Sequence, residues 1–522
     1  MNLPRILLLA GLLLARGMFA AGGVTHVLAT ADEIILTVQG SGAVQIVELA
    51  PYETISHAGQ APCVASAMLA AETRVAFPRF AAGRDRIYSG FLAQPAGPGR
   101  EPAALGGIFF VDEMRGVSKS DEPFPVVASK KGLQVQMVDD AIALGVKHAA
   151  LNFNVAAMFD LARGTNNYVW RMDGQDYYFN RRMIDSVPVK KLTDAGATVT
   201  LILLAYQSRN PLIDRLVLHP RAVTNAPNHI AAFNTSTPDG LRYFKAGMEF
   251  LADHYLRPDR KYGRAVNFIV GNEVNAHWFW YNLGPAAMET VAEDYLRTVR
   301  VVHTAVRKSS STARVYLSLD HHWNIVYTGN PQRACTGQAL VDEMNRRSKL
   351  GGDFDWHIAF HPYPENLFKP RVWLDRTATN SVNSPRITFK NLEQLTRYLR
   401  QPELLCQGVP RRVILSEQGF HSDATPQGEE LQAAAYCYAS WKTDHLDGID
   451  SFILHRHVDH KMEGGLNLGL WTRQTNSIAT PLAKKKIYEV FKAADTPGRN
   501  RAFAFALPLI GITNWSQVLP GK

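Results

Sequence analysis

The sequence predicts an α/β protein: a (β/α)8 TIM barrel over residues 120–495, preceded by a small β-sandwich-like domain over residues 24–107. Three observations predict it. Strand-like apolar runs alternate strictly with helical patterns after Gly132, eight such repeats can be counted, and polar residues gather just after the strands. Alternation alone would also suit an open, doubly wound sheet. A closed barrel brings the C-terminal ends of all its strands to one mouth, and so accounts for the many furnished strand ends.

The chain of 522 residues is too long for one average domain and suits a barrel plus a smaller module. With 46% hydrophobic and 20% charged residues it has material for a large core, and disorder is excluded. The formal charge of +9 comes from 56 basic residues spread along the chain rather than gathered in a run. No pattern for binding nucleic acid is present, so no nucleic-acid partner is expected; an acidic or sulfated polysaccharide stays compatible. Nothing in the sequence sets an oligomeric state.

Residues 1–23 read as a signal peptide. Arg5 precedes the apolar run 6–14, and the small residues Ala20, Ala21, Gly22 and Gly23 follow. Arg16 cuts the run well below the roughly 20 residues of a membrane span. The expectation is a secreted protein, periplasmic or extracellular, cleaved near 20–23 and without a stable membrane span. Cys63, Cys335, Cys406 and Cys437 have no close paired spacing, so neither a zinc site nor a disulfide framework is written. One bridge is allowed, and the sequence does not choose its partners.

From 24 to 107, short strand-like runs such as 33–38 and 44–49 are broken by Gly-, Pro- and Ala-rich turns. This accessory domain is expected to pack on the barrel, since nothing in it resembles an aromatic stacking platform. The first barrel strand is expected near 124–128. A helix follows, with Leu133, Met137, Ala141 and Leu144 on one face and Gly145 as its left-handed C-terminal cap. The strand 148–154 ends in Asn152 and Asn154. A long loop rich in aromatics, with Tyr168, Trp170, Tyr177 and Tyr178, leads to a second helix from about 186 to Gly196. The run 198–205 is almost unbroken in β-formers, as expected where both faces of a strand are buried.

The alternation continues as helix 239–255, strand 265–270, helix 286–307, strand 314–319, helix 337–348 and strand 356–360. It ends with helix 390–400, strand 412–416, helix 427–445, strand 450–454 and helix 481–492. Residues 496–522 form a tail expected to pack on the barrel or the accessory domain. The furnished ends are Asn154, Asn272 with Glu273, Asp320 with His321 and His322, His361 with Tyr363, Glu417 with His421, and His455 with His457.

By count, Glu273 follows the fourth strand and Glu417 the seventh. Glycosidic cleavage needs one carboxyl to protonate the leaving oxygen and a second to attack the anomeric carbon or activate water. Either glutamate alone could equally cap a strand end or pair with an arginine. Their joint placement on one rim favours the chemical reading.

The Asn272-Glu273 pair after strand four and Glu417 at the end of strand seven resemble the clan A retaining glycoside hydrolases, a superfamily of TIM-barrel glycosidases. The resemblance covers residues 120–495 and is specific at those positions. It implies Glu273 as general acid/base, Glu417 as nucleophile, Asn272 as a contact to the sugar 2-hydroxyl and Tyr363 as a hydrogen-bond donor to the nucleophile. It implies hydrolysis of O-glycosyl bonds with retention. The chain as a whole also resembles a bacterial family of secreted proteins with this barrel and no assigned function, and membership there implies the fold but not the substrate.

Strand eight departs from the clan, which often places a tryptophan there under the sugar. This chain has His455-Arg456-His457, and Trp471 in the following loop is the candidate ring. Candidate substrate contacts are Asn272, Tyr363, His361, Asn154, His322, Trp278, Trp280 and His455, the two tryptophans coming from the aromatic stretch after Glu273. Any one of these rings is also ordinary packing material. The expected partner is a poly- or oligosaccharide, neutral or anionic, with no cofactor and no metal.

Two other readings stand beside this one. His321, His322, His361, His421, His455, His457 and His460 lie near one rim and suit a metal-dependent hydrolase. Against it, the His-x-His expected on strand one is missing, and His455-x-His457 lies on strand eight; binding of hydroxyls, or of an anionic group with Arg456, is preferred. The third reading is a barrel that binds carbohydrate without cutting it, against which the presence of both glutamates counts.

Overall fold

The computed structural model describes residues 22–96, 104–423 and 425–519. The expected signal peptide falls on residues 1–21, outside the described residues, and on Gly22 and Gly23 at their start. The chain divides into two compact units, residues 1–116 with 350–352, and residues 117–349 with 353–522.

The first unit is built on one six-stranded sheet, antiparallel except for the pairing of Gly23–Ala29 with Glu113–Met114. The two runs expected as separate strands are halves of a single strand, Glu33–Leu49. Gly40 and Gly42, at φ 138° and 92°, let it bend without breaking its pairing. Ile34 pairs with Phe77 and Glu48 with Phe91, near opposite ends of that 17-residue strand, which would span about 55 Å if flat. The two rings nevertheless meet at 5.3 Å, so the sheet folds back on itself around a buried interior.

The second unit is a closed barrel of eight parallel strands. These are β1 (Lys131–Gln134), β2 (His148–Asn154), β3 (Thr198–Tyr206), β4 (Ala265–Val270), β5 (Arg314–Asp320), β6 (Trp356–His361), β7 (Val413–Leu415) and β8 (Ile449–Leu454). Each pairs with the next, and β8 pairs with β1 to close the ring. Ala150, Ile202, Leu204, Ile269, Tyr316, Ala359, Ile414 and Ile453 fill the interior as one buried cluster, so the barrel is packed rather than open. Strand β3 is buried on both faces, as its unbroken apolar run requires.

The first strand lies later than expected. Residues 124–128 are not a strand: Pro123 and Pro125 lack the N–H a ladder needs, and Val126 is 97% exposed. Strand β1 instead begins at Lys131, and Gly132 is required there because a Cβ would meet the His148 carbonyl oxygen at 2.8 Å. Leu133 is therefore a strand residue, and the first helix is only Val138–Ala143. Gly145, at φ 70°, ends that helix as expected, its N–H donating to the Ile142 carbonyl at 2.9 Å.

The aromatic loop is a hairpin. Asn167–Met172 pairs with Gln175–Asn180 across Asp173-Gly174, both at positive φ as a type I′ turn demands. Its rings are packing residues: Phe179 stacks on Phe250 at 4.3 Å, and Tyr177 meets Tyr243 edge-on at 5.3 Å, both partners on helix Pro238–Tyr255. The helix expected from 186 is split about Pro188 into Arg181–Asp185 and Val189–Asp194. The last barrel helix begins only at Lys486, because Pro481–Lys484 pairs as a strand with Trp471–Arg473. The described part of the tail packs on the barrel's outside, with Trp515 stacked on Trp441 at 5.4 Å. No helix among the described residues is long and apolar enough to cross a membrane.

Candidate active site

The fully buried run of β4 delivers the chain to Gly271, where it must turn. Gly271 has φ 71°, and a Cβ there would meet the Tyr281 ring at 2.6 Å. Two residues on, Glu273 adopts the left-handed conformation (φ 40°, ψ 53°). Its N–H donates to Ser318 Oγ on β5 at 2.9 Å, which fixes the turn. Strand β7 runs for only three residues before Ser416 and Glu417, and β6 ends at His361, with Tyr363 just beyond.

These ends converge. One oxygen of Glu273, one of Glu417 and a ring nitrogen of His361 all lie within 4.8 Å of one another. His361 Nδ1 is 2.9 Å from Glu273 Oε1, and its Nε2 is 3.0 Å from Ser416 Oγ. Tyr363 Oη donates to Glu417 Oε1 at 3.2 Å, and Gln134 Nε2, at the end of β1, donates to Glu417 Oε2 at 3.4 Å.

Burial raises the pKa of Glu273 above the ordinary carboxylate range, the charges of Asp320 and Glu417 add to this, and the hydrogen bond with His361 opposes it. Burial would lower His361, but its bond to Glu273 and the charges of Glu417, Glu273 and Asp320 outweigh that and raise it. Together the pair keeps a proton at a pH where the separate groups in water would have lost it. Burial and the charge of Glu417 push Tyr363 far above its usual value, so it stands as a neutral donor. Asp320 is the settled anion of the region. Burial would raise it, but the bond to His322 Nδ1 at 2.7 Å, the charges of His322 and His321 and the Asn275 amide hold it below the ordinary range.

The structure brings Glu273, Glu417, His361 and Tyr363 together: His361 bonds Glu273, Tyr363 bonds Glu417, and the two carboxylates and the imidazole lie within 4.8 Å of one another. Asn272 is buried beside Glu273, and among the described residues its side chain has no hydrogen-bond partner, which leaves its amide free for a ligand. His361, expected as a substrate contact, is 2% exposed and has both ring nitrogens engaged, so it holds Glu273 rather than offering a free nitrogen. Asn154 caps its own strand end, its Oδ1 accepting the Ala156 N–H at 3.1 Å. His322 is tied to Asp320. Trp278 is half-buried with the Arg333 guanidinium 4.2 Å from its ring, and Trp280 is half-buried two positions on. His455 is linked to Glu417 through Gln134, and its other ring nitrogen lies 3.2 Å from Glu463. Trp471 donates its indole N–H to Asp140 at 2.9 Å and is pinned there, together with Tyr488.

Among the described residues, the rim histidines other than His361 do not assemble into a ligand set. His457 bonds Asp140, His421 Nδ1 accepts the Asn467 N–H, and His460 Nδ1 accepts the Met462 N–H. Among the described residues, the one group with ligand atoms close enough for a cation is Glu273, His361 and Glu417 itself. Arg456, a candidate for an anionic group, is paired with Glu463. Residues that sequence reasoning missed are Gln134, Glu463, Ser318 and Ser416. Gln134 was hidden by the misplaced first strand, and Glu463 lies in a loop with no periodic signal.

Among solved structures, the chain is similar to a family 39 glycoside hydrolase from the gut symbiont Bacteroides cellulosilyticus WH2, at 12% identity over 91% of this chain and 82% of that one, with a TM-score of 0.47. It is similar to a hyperthermophilic β-glucosidase from Pyrococcus furiosus, at 15% identity over 71% and 86% of the two chains, with a TM-score of 0.46. A family 1 β-glucosidase from Thermotoga maritima matches at 13% identity over 68% and 84%, with a TM-score of 0.41. No curated protein matches the sequence. The model of the family of unknown function DUF5722 matches residues 123–518, the barrel together with nearly all of the tail, and the chain belongs to that family.

Proposed function

We propose that the protein is a secreted glycoside hydrolase that cleaves O-glycosidic bonds of a poly- or oligosaccharide by retaining double displacement. The observation that carries this reading is the spacing of the two glutamates, with an oxygen of each within 4.8 Å of the other. Retaining enzymes hold their carboxyl groups about 5 to 5.5 Å apart, whereas inverting ones leave about 6.5 to 9.5 Å for a water.

In the first step a Glu417 oxygen attacks the anomeric carbon while the glycosidic C–O bond breaks, and the departing oxygen takes the proton held by Glu273. In the second, Glu273 accepts a proton from water as that water attacks the same carbon and releases Glu417. Tyr363 and Gln134 aim the nucleophile, His361 holds the acid/base, and the unpartnered Asn272 amide is placed for the 2-hydroxyl.

The test is a panel of aryl glycosides of both anomers. Proton NMR of the earliest product should show unchanged anomeric configuration, and a fluorosugar trap should add its glycosyl mass to Glu417. Inverted product with no label on Glu417 rejects the mechanism. The same three side chains also have ligand atoms close enough for a cation, so the panel is run with and without a chelator. Activity that a chelator abolishes and zinc restores would favour the metal-dependent reading instead.

A further inference from the structure

Where strand β8 ends, the polar residues form a chain leading to Glu417. Arg456 Nη1 donates to Glu463 Oε2, and His455 Nε2 lies 3.2 Å from Glu463 Oε1. His455 Nδ1 is hydrogen-bonded to Gln134 Oε1, and Gln134 Nε2 donates to Glu417 Oε2 at 3.4 Å. Every joint but the last is made away from the reacting centre.

A primary amide donates at one end and accepts at the other, so its orientation carries information. As it stands, Gln134 gives an N–H to Glu417. Turned over, it would set its oxygen against a carboxylate that only accepts. A hydrogen on His455 Nδ1 would hold it in the useful orientation, because the amide oxygen is then its acceptor. Glu463 secures the far side of the ring. Burial would raise its pKa, but His455 and Arg456 hold it down to about 2, so it is an anion facing Nε2.

We propose that His455 and Glu463 are positioning residues that fix the orientation of the Gln134 amide and so supply Glu417 with a hydrogen bond beside that of Tyr363. The proposal rests on Glu417 being the nucleophile. A donor on that carboxylate matters most in the second step, when Glu417 departs as an anion and each donor stabilises the charge it regains. Loss of the donor should therefore slow release of the glycosyl-enzyme more than its formation.

Four single variants and one double variant test this with an activated aryl glycoside. Gln134→Leu and His455→Phe should each lower kcat about 10- to 100-fold, the worth of one hydrogen bond to a charged group, and KM should fall as the intermediate accumulates. The double variant should be no slower than Gln134→Leu alone, because His455 acts through the amide; additive losses would overturn the proposal. Glu463→Leu should resemble His455→Phe. Glu463→Gln should recover most of that loss: Arg456 takes the new amide's oxygen, its N–H donates to His455 Nε2, and the hydrogen on Nδ1 stays. Equal loss in both Glu463 variants would count against the chain.

A readout without catalysis separates this from the proposed function. Nitrogen NMR of the labelled imidazoles should find hydrogen on His455 Nδ1 in the wild type, and still there in Glu463→Gln. A bare Nδ1 in the wild type overturns the inference whether or not any variant folds. Protein that cleaves no glycoside yet shows that hydrogen would instead sink the proposed function and leave the hydrogen-bond chain standing.

Discussion

A general acid working near neutrality needs surroundings that penalise its charge, and Glu273 has them in burial and in the neighbouring Asp320 and Glu417. The sign of the pH dependence follows. The acid must be protonated, so activity should fall as pH climbs through the raised value. Glu273→Gln should slow poor leaving groups by about 100- to 10,000-fold and activated aryl groups far less, since these need little protonation. Measurement of kcat/KM across a series of leaving groups checks this, and equal losses along the series would remove Glu273 from the role. The same shift has a cost in stability. A carboxyl that holds its proton more tightly folded than unfolded destabilises the fold once pH exceeds its unfolded value of 4.5. Glu273→Gln should therefore raise the melting temperature at neutral pH, and the gain should shrink toward pH 4.5. A gain independent of pH would point to packing rather than charge.

At the scale of the element, the turn after β4 places Glu273 by holding a non-glycine residue left-handed, a conformation that costs an ordinary L residue about 1 to 2 kcal/mol. Its consequence is specific. Glu273→Gly and Glu273→Ala both remove the carboxyl, yet the glycine variant should be more stable than the alanine one by about 1 kcal/mol in denaturant unfolding. Equal stabilities would show that the turn bears no strain there. This turn was not legible in the sequence, because a residue's own φ is set by Ser318 on another strand and by Tyr281 against Gly271. The strands around it were legible. His148–Asn154 and Ala265–Val270 match their expected bounds because each is a short apolar run between helices, with no competing period. Strand β1 misled because Leu133 and Met137 stand four residues apart and mimic a helix face, while the strand itself is only four residues long. The aromatic hairpin misled for a different reason: its rings pack on a helix far along the chain, which local pattern does not record.

For the whole molecule, closure of the barrel is what turned sequence positions into a site. Once the strands were counted, Glu273 and Glu417 had to meet at one mouth, and Tyr363 and His361 came with them. Gln134 escaped because it ends a four-residue strand that the pattern did not show, and Glu463 because its relevance depends on which loop side chains cross the mouth. The cysteines pose a similar question, since an oxidising compartment allows a bridge that spacing cannot assign. In the structure all four are free thiols: Cys63 is exposed on the N-terminal unit, and Cys335, Cys406 and Cys437 are buried in the barrel unit. Burial pushes Cys335 up to about 12 and Cys406 up to about 11, and raises Cys437 well above its usual value. Thiolate is the reactive form, so these three should resist alkylation while the fold is intact. Mass spectrometry after brief treatment of the native protein with iodoacetamide should find Cys63 labelled and the others bare. The same treatment in denaturant without reductant should label all four, because unfolding returns each thiol to water. A reductant should leave the melting temperature unchanged. Two labels in denaturant, rising to four only after reduction, would mean that a disulfide joins the missing pair and that the chain around those cysteines is arranged differently from the fold described.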